Sequence, residues 1–308
     1  MNIQSKILFL FYVFFLWTAC VVHGQEPFFD VKLWEQGLPN TNGTDTGGYD
    51  LGEKNYKPIM RVFLPPQEKA TGRAIVCFPG GGYAQTSLDH YGEDWAPFYN
   101  NLGIALVVLH YRVPKGKPEV SISDAMEAYR QTKLHAKAWR INPTDIGIQG
   151  ISAGGHLAST LTAHHQDSIG AAFQILIYPV ISFKSPYAHS GSRDNFIGAP
   201  PLLKKDATVQ ESTDYERRKV TYEVLKNKYS NENHISAHTP RTFIASSDND
   251  KLTMNSILYY TALHEKKIPA VLHTYPSGGH GWHINVKNNR FLFADLVERE
   301  LMAWLQSF

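Results

Sequence analysis

Cysteine is nearly absent: 308 residues carry two, Cys20 and Cys77. Two thiols exclude a disulfide-stapled scaffold and a four-cysteine zinc site. Charge is scarce as well, at 19% of residues against 43% hydrophobic, and the two signs nearly cancel at a formal +2. A chain without concentrated positive charge does not take nucleic acid or acidic lipid as its main partner. One so rich in apolar residues is not disordered. The sequence also lacks internal repeats, low-complexity stretches, an HExxH pair and any compact His/carboxylate cluster. Nothing in it therefore requires a metal or another cofactor.

One long apolar run is present, residues 7–22, preceded by Lys6 and followed by an acidic residue only at Glu26. This is the layout of a secretory signal peptide, and the run falls short of the roughly 20 residues of a membrane span. Cleavage after Gly24 is expected, leaving 25–308 as a single domain in a periplasmic or secreted protein. Trp17-Thr18-Ala19-Cys20 offers a second exit, a lipoprotein box that leaves a lipid anchor on Cys20 at the outer membrane; an uncleaved anchor helix is a third reading. Cys77 is then an unpaired thiol in an apolar strand, expected as a small buried hydrophobe.

Beyond Asp30 the pattern alternates between two periods. Strands are predicted at 59–64, 74–78, 105–111, 146–149, 171–178, 241–246 and 271–275. Ala105-Leu106-Val107-Val108-Leu109 is apolar without alternation, as in a strand covered by helices on both faces. Helices are predicted at 92–102, 123–139, 155–164, 255–265 and 289–307. In the second, Ala125, Ala128, Tyr129, Thr132 and Ala136 share one face. Alternating β and α gives an α/β fold with a mostly parallel central sheet and helices on both faces. Residues 182–239 break the rhythm. They are too long for a plain loop, so a helical insertion is expected there, with a helix near 214–228 whose basic run Arg217-Arg218-Lys219 reads as a solvated face.

The chemistry concentrates in Gly150-Ile151-Ser152-Ala153-Gly154-Gly155, which follows a strand and opens a helix. A serine on so tight a turn takes a strained backbone, the flanking glycines let the neighbouring segments approach, and Ser152 is presented at the carboxyl edge of the sheet. A second cluster, Pro79-Gly80-Gly81-Gly82-Tyr83, follows another buried strand. Glycines placed there turn backbone N–H groups toward an oxyanion, with Gly81, Gly82 and Ala153 as the expected donors. His280, in Gly278-Gly279-His280-Gly281, is the expected base, with His283 as its rival. The orienting carboxylate is expected from Ser247-Asp248-Asn249-Asp250, where Asp248 and Asp250 both qualify. Tyr83 and Trp282 flank this constellation as candidate sugar-stacking rings, with core packing as the other fate of such residues.

With Pro79 through Tyr83, His110-Tyr111-Arg112, Gly150 through His156, Tyr178-Pro179-Val180-Ile181-Ser182, Gly191-Ser192-Arg193-Asp194-Asn195-Phe196-Ile197-Gly198 and Tyr275 through Trp282, the chain resembles the α/β-hydrolase superfamily. It is most similar to the bacterial acetyl esterase and carbohydrate esterase branch, xylan esterases among them. The resemblance implies the chain order Ser152, Asp250, His280 and a serine esterase that removes a small acyl group, acetyl above all, from plant polysaccharide or oligosaccharide. Relatives carry histidine where this chain has Pro79, so proline rigidity is expected to brace the oxyanion loop. They also carry a proline after the acid, which is missing from Asp250-Lys251-Leu252-Thr253-Met254. A serine peptidase of the prolyl-oligopeptidase type keeps the same triad, and a non-catalytic binding protein keeps the fold; the intact serine, histidine and glycines favour an enzyme.

Overall fold

The computed structural model describes residues 28–44, 58–87, 91–285 and 290–308. The expected export segment 1–24 with Cys20, and Asn289 at the start of the last predicted helix, lie outside them.

Eight strands, β1 (Phe29–Lys32), β2 (Ile59–Phe63), β3 (Ala74–Phe78), β4 (Ala105–His110), β5 (Ile146–Ile151), β6 (Phe173–Ile177), β7 (Arg241–Ser247) and β8 (Ala270–Tyr275), form one sheet. Its order is β1-β2-β4-β3-β5-β6-β7-β8. The pairs β1/β2 and β2/β4 are antiparallel and the rest parallel. Among the described residues the helices are α1 (Ala96–Asn101), α2 (Pro118–Leu134), α3 (Ala153–His164), α4 (Gln166–Ile169), α5 (Ser190–Ile197), α6 (Val209–Lys228), α7 (Thr253–Glu265) and α8 (Ala294–Leu305).

Strand alternation divides the core in two. In β3, Ala74, Val76 and Phe78 face one layer and Ile75 and Cys77 the other. Ala125, Ala128 and Tyr129 of α2, Leu157 and Leu161 of α3, and Tyr259 and Leu263 of α7 fill the first layer. Tyr99 of α1 with Val297 and Leu301 of α8 fills the second. Both faces of β4 are therefore covered, and all of its residues are buried, as its unbroken apolar run predicts. Cys77 is a free, buried thiol whose pKa is pushed up by that burial.

Several boundaries differ from the sequence reading. β1 was not expected: it is a four-residue, largely exposed edge strand, and the alternation of Phe29-Asp30-Val31-Lys32 is too short to read as a strand. α2 begins at Pro118 rather than 123, because proline at a first helical turn has its φ preset and lacks only an N–H that no carbonyl would accept. It stops at Leu134 rather than 139, and the chain turns through Arg140 at φ 57°. The segment 182–239 contains α5, α6 and a 3₁₀ turn at Asn231–His234. The basic run lies on α6, where Arg217 pairs with Asp214 and Lys219 with Glu216, all on the exposed side.

Candidate active site

β5 runs two residues further than predicted and ends at Ile151, so Ser152 sits at the turn into α3. Its φ of 55° and ψ of −119° lie outside the regions an L-residue favours, a strain of about 1–3 kcal/mol that the surroundings must hold. They do so from both sides: the Ser152 N–H donates to Ile177 O at 3.0 Å and the Val180 N–H to Ser152 O at 3.0 Å. The flanking glycines are a steric requirement. A Cβ at Gly150 would lie 2.6 Å from Gly155 Cα, and one at Gly154 2.6 Å from Pro79 O.

Ser152 Oγ lies 2.8 Å from His280 Nε2, and His280 Nδ1 lies 2.8 Å from Asp250 Oδ2. The structure brings these three together across long stretches of chain. Asp250 is buried and its Oδ1 accepts the Leu252 N–H at 2.8 Å, so both carboxylate oxygens are engaged. Asp248 is exposed and its N–H donates to Tyr275 O. Asn249, between the two, accepts the Gly279 N–H at 2.8 Å and ties the acid loop to the histidine loop. His283 is buried against Tyr91 and not beside Ser152.

Gly81 and Gly82 line the same cleft as Ser152 and His280, and Gly81 at φ 131° and Gly82 at φ 63° need the freedom glycine gives. Among the described residues neither N–H has a hydrogen-bond acceptor. Ala153 is fully buried and does not line the cleft; its N–H stands at the first turn of α3, where no carbonyl four residues back serves it. Proline stiffness alone does not brace this loop. Tyr111 Oη donates to Pro79 O at 2.8 Å, and Asn195 Nδ2 donates to Gly82 O at 2.9 Å. The resemblance-bearing segments around Tyr111 and Asn195 thus converge on the glycine loop.

Tyr83 and Trp282 are not sugar platforms. Tyr83 is buried, packs on Phe196 at 4.6 Å and shares a hydrogen bond with His156 Nδ1 at 2.9 Å. Trp282 is buried and stacked on Phe291 at 4.4 Å, and its carbonyl accepts from Tyr178 Oη at 2.8 Å. Both residues lie just beyond a glycine loop and anchor it to the core, because a large ring gains more from dry packing than from an open edge.

His156 explains part of that anchoring. Its Nε2 meets Tyr229 O at 2.9 Å; a carbonyl only accepts, so Nε2 holds the proton and Nδ1 accepts from Tyr83 Oη. Burial pushes its pKa down to about 3. The unfolded chain binds a proton here near pH 6.5, so this stabilisation is complete above that pH and is lost as pH falls toward 3. Unfolding free energy is expected to drop by about 1.4 kcal/mol per pH unit from this group across that window. Denaturant unfolding of wild type and His156→Gln from pH 7 to pH 4 checks it: the difference between the two curves should shrink as pH falls.

The cleft is open, about 510 Å³, and its remaining lining includes Gln85, Ser87, Tyr91, His189, Lys251 and Leu252. Sequence reasoning missed His189, although it opens the segment carrying Gly191 through Asn195. Among the described residues no three His, Cys, Asp or Glu side chains converge as a metal centre would require, and no helix is long and apolar enough to cross a membrane.

Comparison with known proteins agrees with this fold. The alpha/beta hydrolase fold family matches residues 75–284. An acetylxylan esterase of Xylanibacter ruminicola is 36% identical over 255 residues, 82% of this chain and 48% of that protein. Endo-1,4-beta-xylanase B of Butyrivibrio fibrisolvens is 31% identical over 85% of this chain and 41% of its own length. The chain thus spans about half the length of the curated relatives it matches. An acetyl ester-xyloside bifunctional hydrolase from Caldicellulosiruptor lactoaceticus superposes with a TM-score of 0.70 at 29% identity, covering 91% of this chain and 96% of that one.

Proposed function

The chain belongs to the alpha/beta hydrolase fold family, and from that premise we propose that it is a serine carboxylic-ester hydrolase that removes acetyl or another small acyl group from plant polysaccharide or oligosaccharide. The observation that carries the reading is the pair of 2.8 Å contacts linking Ser152 Oγ, His280 and Asp250. His280 Nε2 takes the hydroxyl proton as Ser152 Oγ attacks the ester carbonyl, while Asp250 holds Nδ1–H and stabilises the imidazolium. The N–H groups of Gly81, Gly82 and Ala153 receive the developing oxyanion. The imidazolium returns its proton to the leaving alcohol, and a water activated by His280 then clears the acyl group from Ser152.

The substrate half of the reading is supported by the relatives named for acetylxylan and acetyl-xyloside chemistry and by the cleft itself. Gln85, Ser87, His189, Asn249 and Lys251 line it, and polar groups suit a hydroxylated alcohol better than a long acyl chain. The apolar run at 7–22 supports export, checked by N-terminal sequencing of the protein recovered from producing cells.

The test is a panel of acetylated xylan, a feruloylated oligosaccharide, p-nitrophenyl acetate and a proline-containing aminoacyl amide. Turnover of the acetyl esters with no cleavage of the amide is expected. Preference for the amide would replace the reading by a peptidase of the prolyl-oligopeptidase type, and no turnover at all by a binding protein.

A further inference from the structure

His189 is an imidazole in the cleft that the reaction as written does not use. It caps α5: the Ser192 N–H donates to its Nδ1 at 3.1 Å, and Ser192 Oγ lies 2.7 Å from the same nitrogen. A backbone N–H only donates, so Nδ1 presents its lone pair and carries no proton. The neutral ring then keeps its proton on Nε2, and among the described residues no acceptor meets it. Burial first, then the nearby His280, hold the His189 pKa below its ordinary value, while Asp250 opposes them. The ring is therefore a neutral donor of fixed tautomer at neutral pH.

Its position is tied to the reacting centre. Asn195 on the same helix holds Gly82 O, a Cβ on Gly82 would come within 3.9 Å of Ser192 Oγ, and His189 lines one cleft with Ser152, Asp250 and His280. Asn, Asp, Ser or Thr would cap the helix at least as well. None of them carries a second polar atom as far from its own backbone as the imidazole Nε2.

We propose that His189 recognises the alcohol half of the ester, its Nε2–H donating to a hydroxyl oxygen carried beside the scissile bond, so that esters of polyhydroxy alcohols are selected over esters of simple alcohols. This rests on Ser152 acting as an esterase nucleophile and supplies that site with a specificity determinant. Asn at 189 keeps the cap, because its side-chain oxygen accepts the Ser192 N–H, and withdraws the donor, because its amide nitrogen is bonded directly to the capping carbonyl carbon and stops short of where the imidazole Nε2 reaches.

The experiment measures kcat/KM for glycerol monoacetate, ethyl acetate and a methyl acetyl-xyloside with wild type, His189→Asn and His189→Ala. The readout is each enzyme's ratio for the hydroxylated over the plain ester, which does not depend on the fraction folded. In both variants the glycerol ester to ethyl ester ratio is expected to fall about tenfold, the size of one hydrogen bond, with the fall mainly in KM; His189→Ala should also melt at a lower temperature. A His189→Asn ratio within twofold of wild type would overturn the proposal. If wild type hydrolyses glycerol monoacetate and ethyl acetate but not the xyloside, the glycan reading alone fails and the glycerol pair still decides His189. If wild type hydrolyses none of them, both fail.

Discussion

Ser152→Ala is expected to lower kcat for acetyl esters by at least about 10⁴-fold, with KM changed by no more than a few-fold. The nucleophilic oxygen disappears, while the glycine loop, the α3 N-terminus and the cleft that position the carbonyl all remain. What is left is the rate that binding and oxyanion donors supply to an attacking water. Stability should barely fall and can rise. Ser152 Oγ has His280 as its hydrogen-bond partner, so its removal gives up one polar contact and spares the desolvation of a buried hydroxyl, while alanine keeps the Cβ and the same backbone strain. Progress curves under saturating substrate, beside thermal melts of both proteins, separate the two effects.

Asp250→Asn is expected to cost nearly as much, about 10³ to 10⁴-fold in kcat near neutral pH. The reason lies in the tautomer. Asp250 Oδ2 accepts from His280 Nδ1, which leaves the Nε2 lone pair facing Ser152 Oγ. An asparagine amide turned toward the ring donates to Nδ1 and moves the proton to Nε2, so the base faces the serine with no lone pair. The amide oxygen can still receive the Leu252 N–H that Asp250 Oδ1 now accepts, so the loop is preserved and the loss is chemical. Asp248→Asn should leave kcat within about twofold, because that side chain is exposed. The reverse pattern, with Asp248→Asn inactive and Asp250→Asn active, would reassign the acid.

The α/β architecture with its mostly parallel sheet was legible in the sequence because local pattern dictates it, and the hydrolase family followed from the motifs that resemble it. The run 105–109 and the strand at 74–78 carry their burial in composition alone, and the Gly150–Gly154 turn carries its sterics. The pairing of Ser152 with His280 was legible for the same reason, each lying on a short glycine-flanked segment next to a strand. The choice between Asp250 and Asp248 was not fixed by composition. It depends on which carboxylate turns inward, and that is decided by the Leu252 N–H and the His280 ring together.

The choice between sugar contact and core packing for Tyr83 and Trp282 depends on partners outside their own segments. Phe196 and His156 enclose the first and Phe291 and Tyr178 the second. Local sequence shows an aromatic ring beside a glycine loop and nothing of the wall it packs against. Asn195 and His189 escaped for the same reason: Asn195 reaches Gly82 across 113 residues. The segment Gly191 through Asn195 was visible as a pattern, while the contacts of α5, Asn195 with the glycine loop and His189 with the cleft, exist only once that helix has docked.

The most direct test of the account is rapid-quench mass spectrometry on the enzyme mixed with p-nitrophenyl acetate. The account predicts a burst of nitrophenol matched in amplitude by one acetyl group on the peptide that contains Ser152, with no adduct there in Ser152→Ala. A burst whose acetyl group sits on another residue, or a Ser152→Ala enzyme that hydrolyses the ester at the wild-type rate, would contradict it.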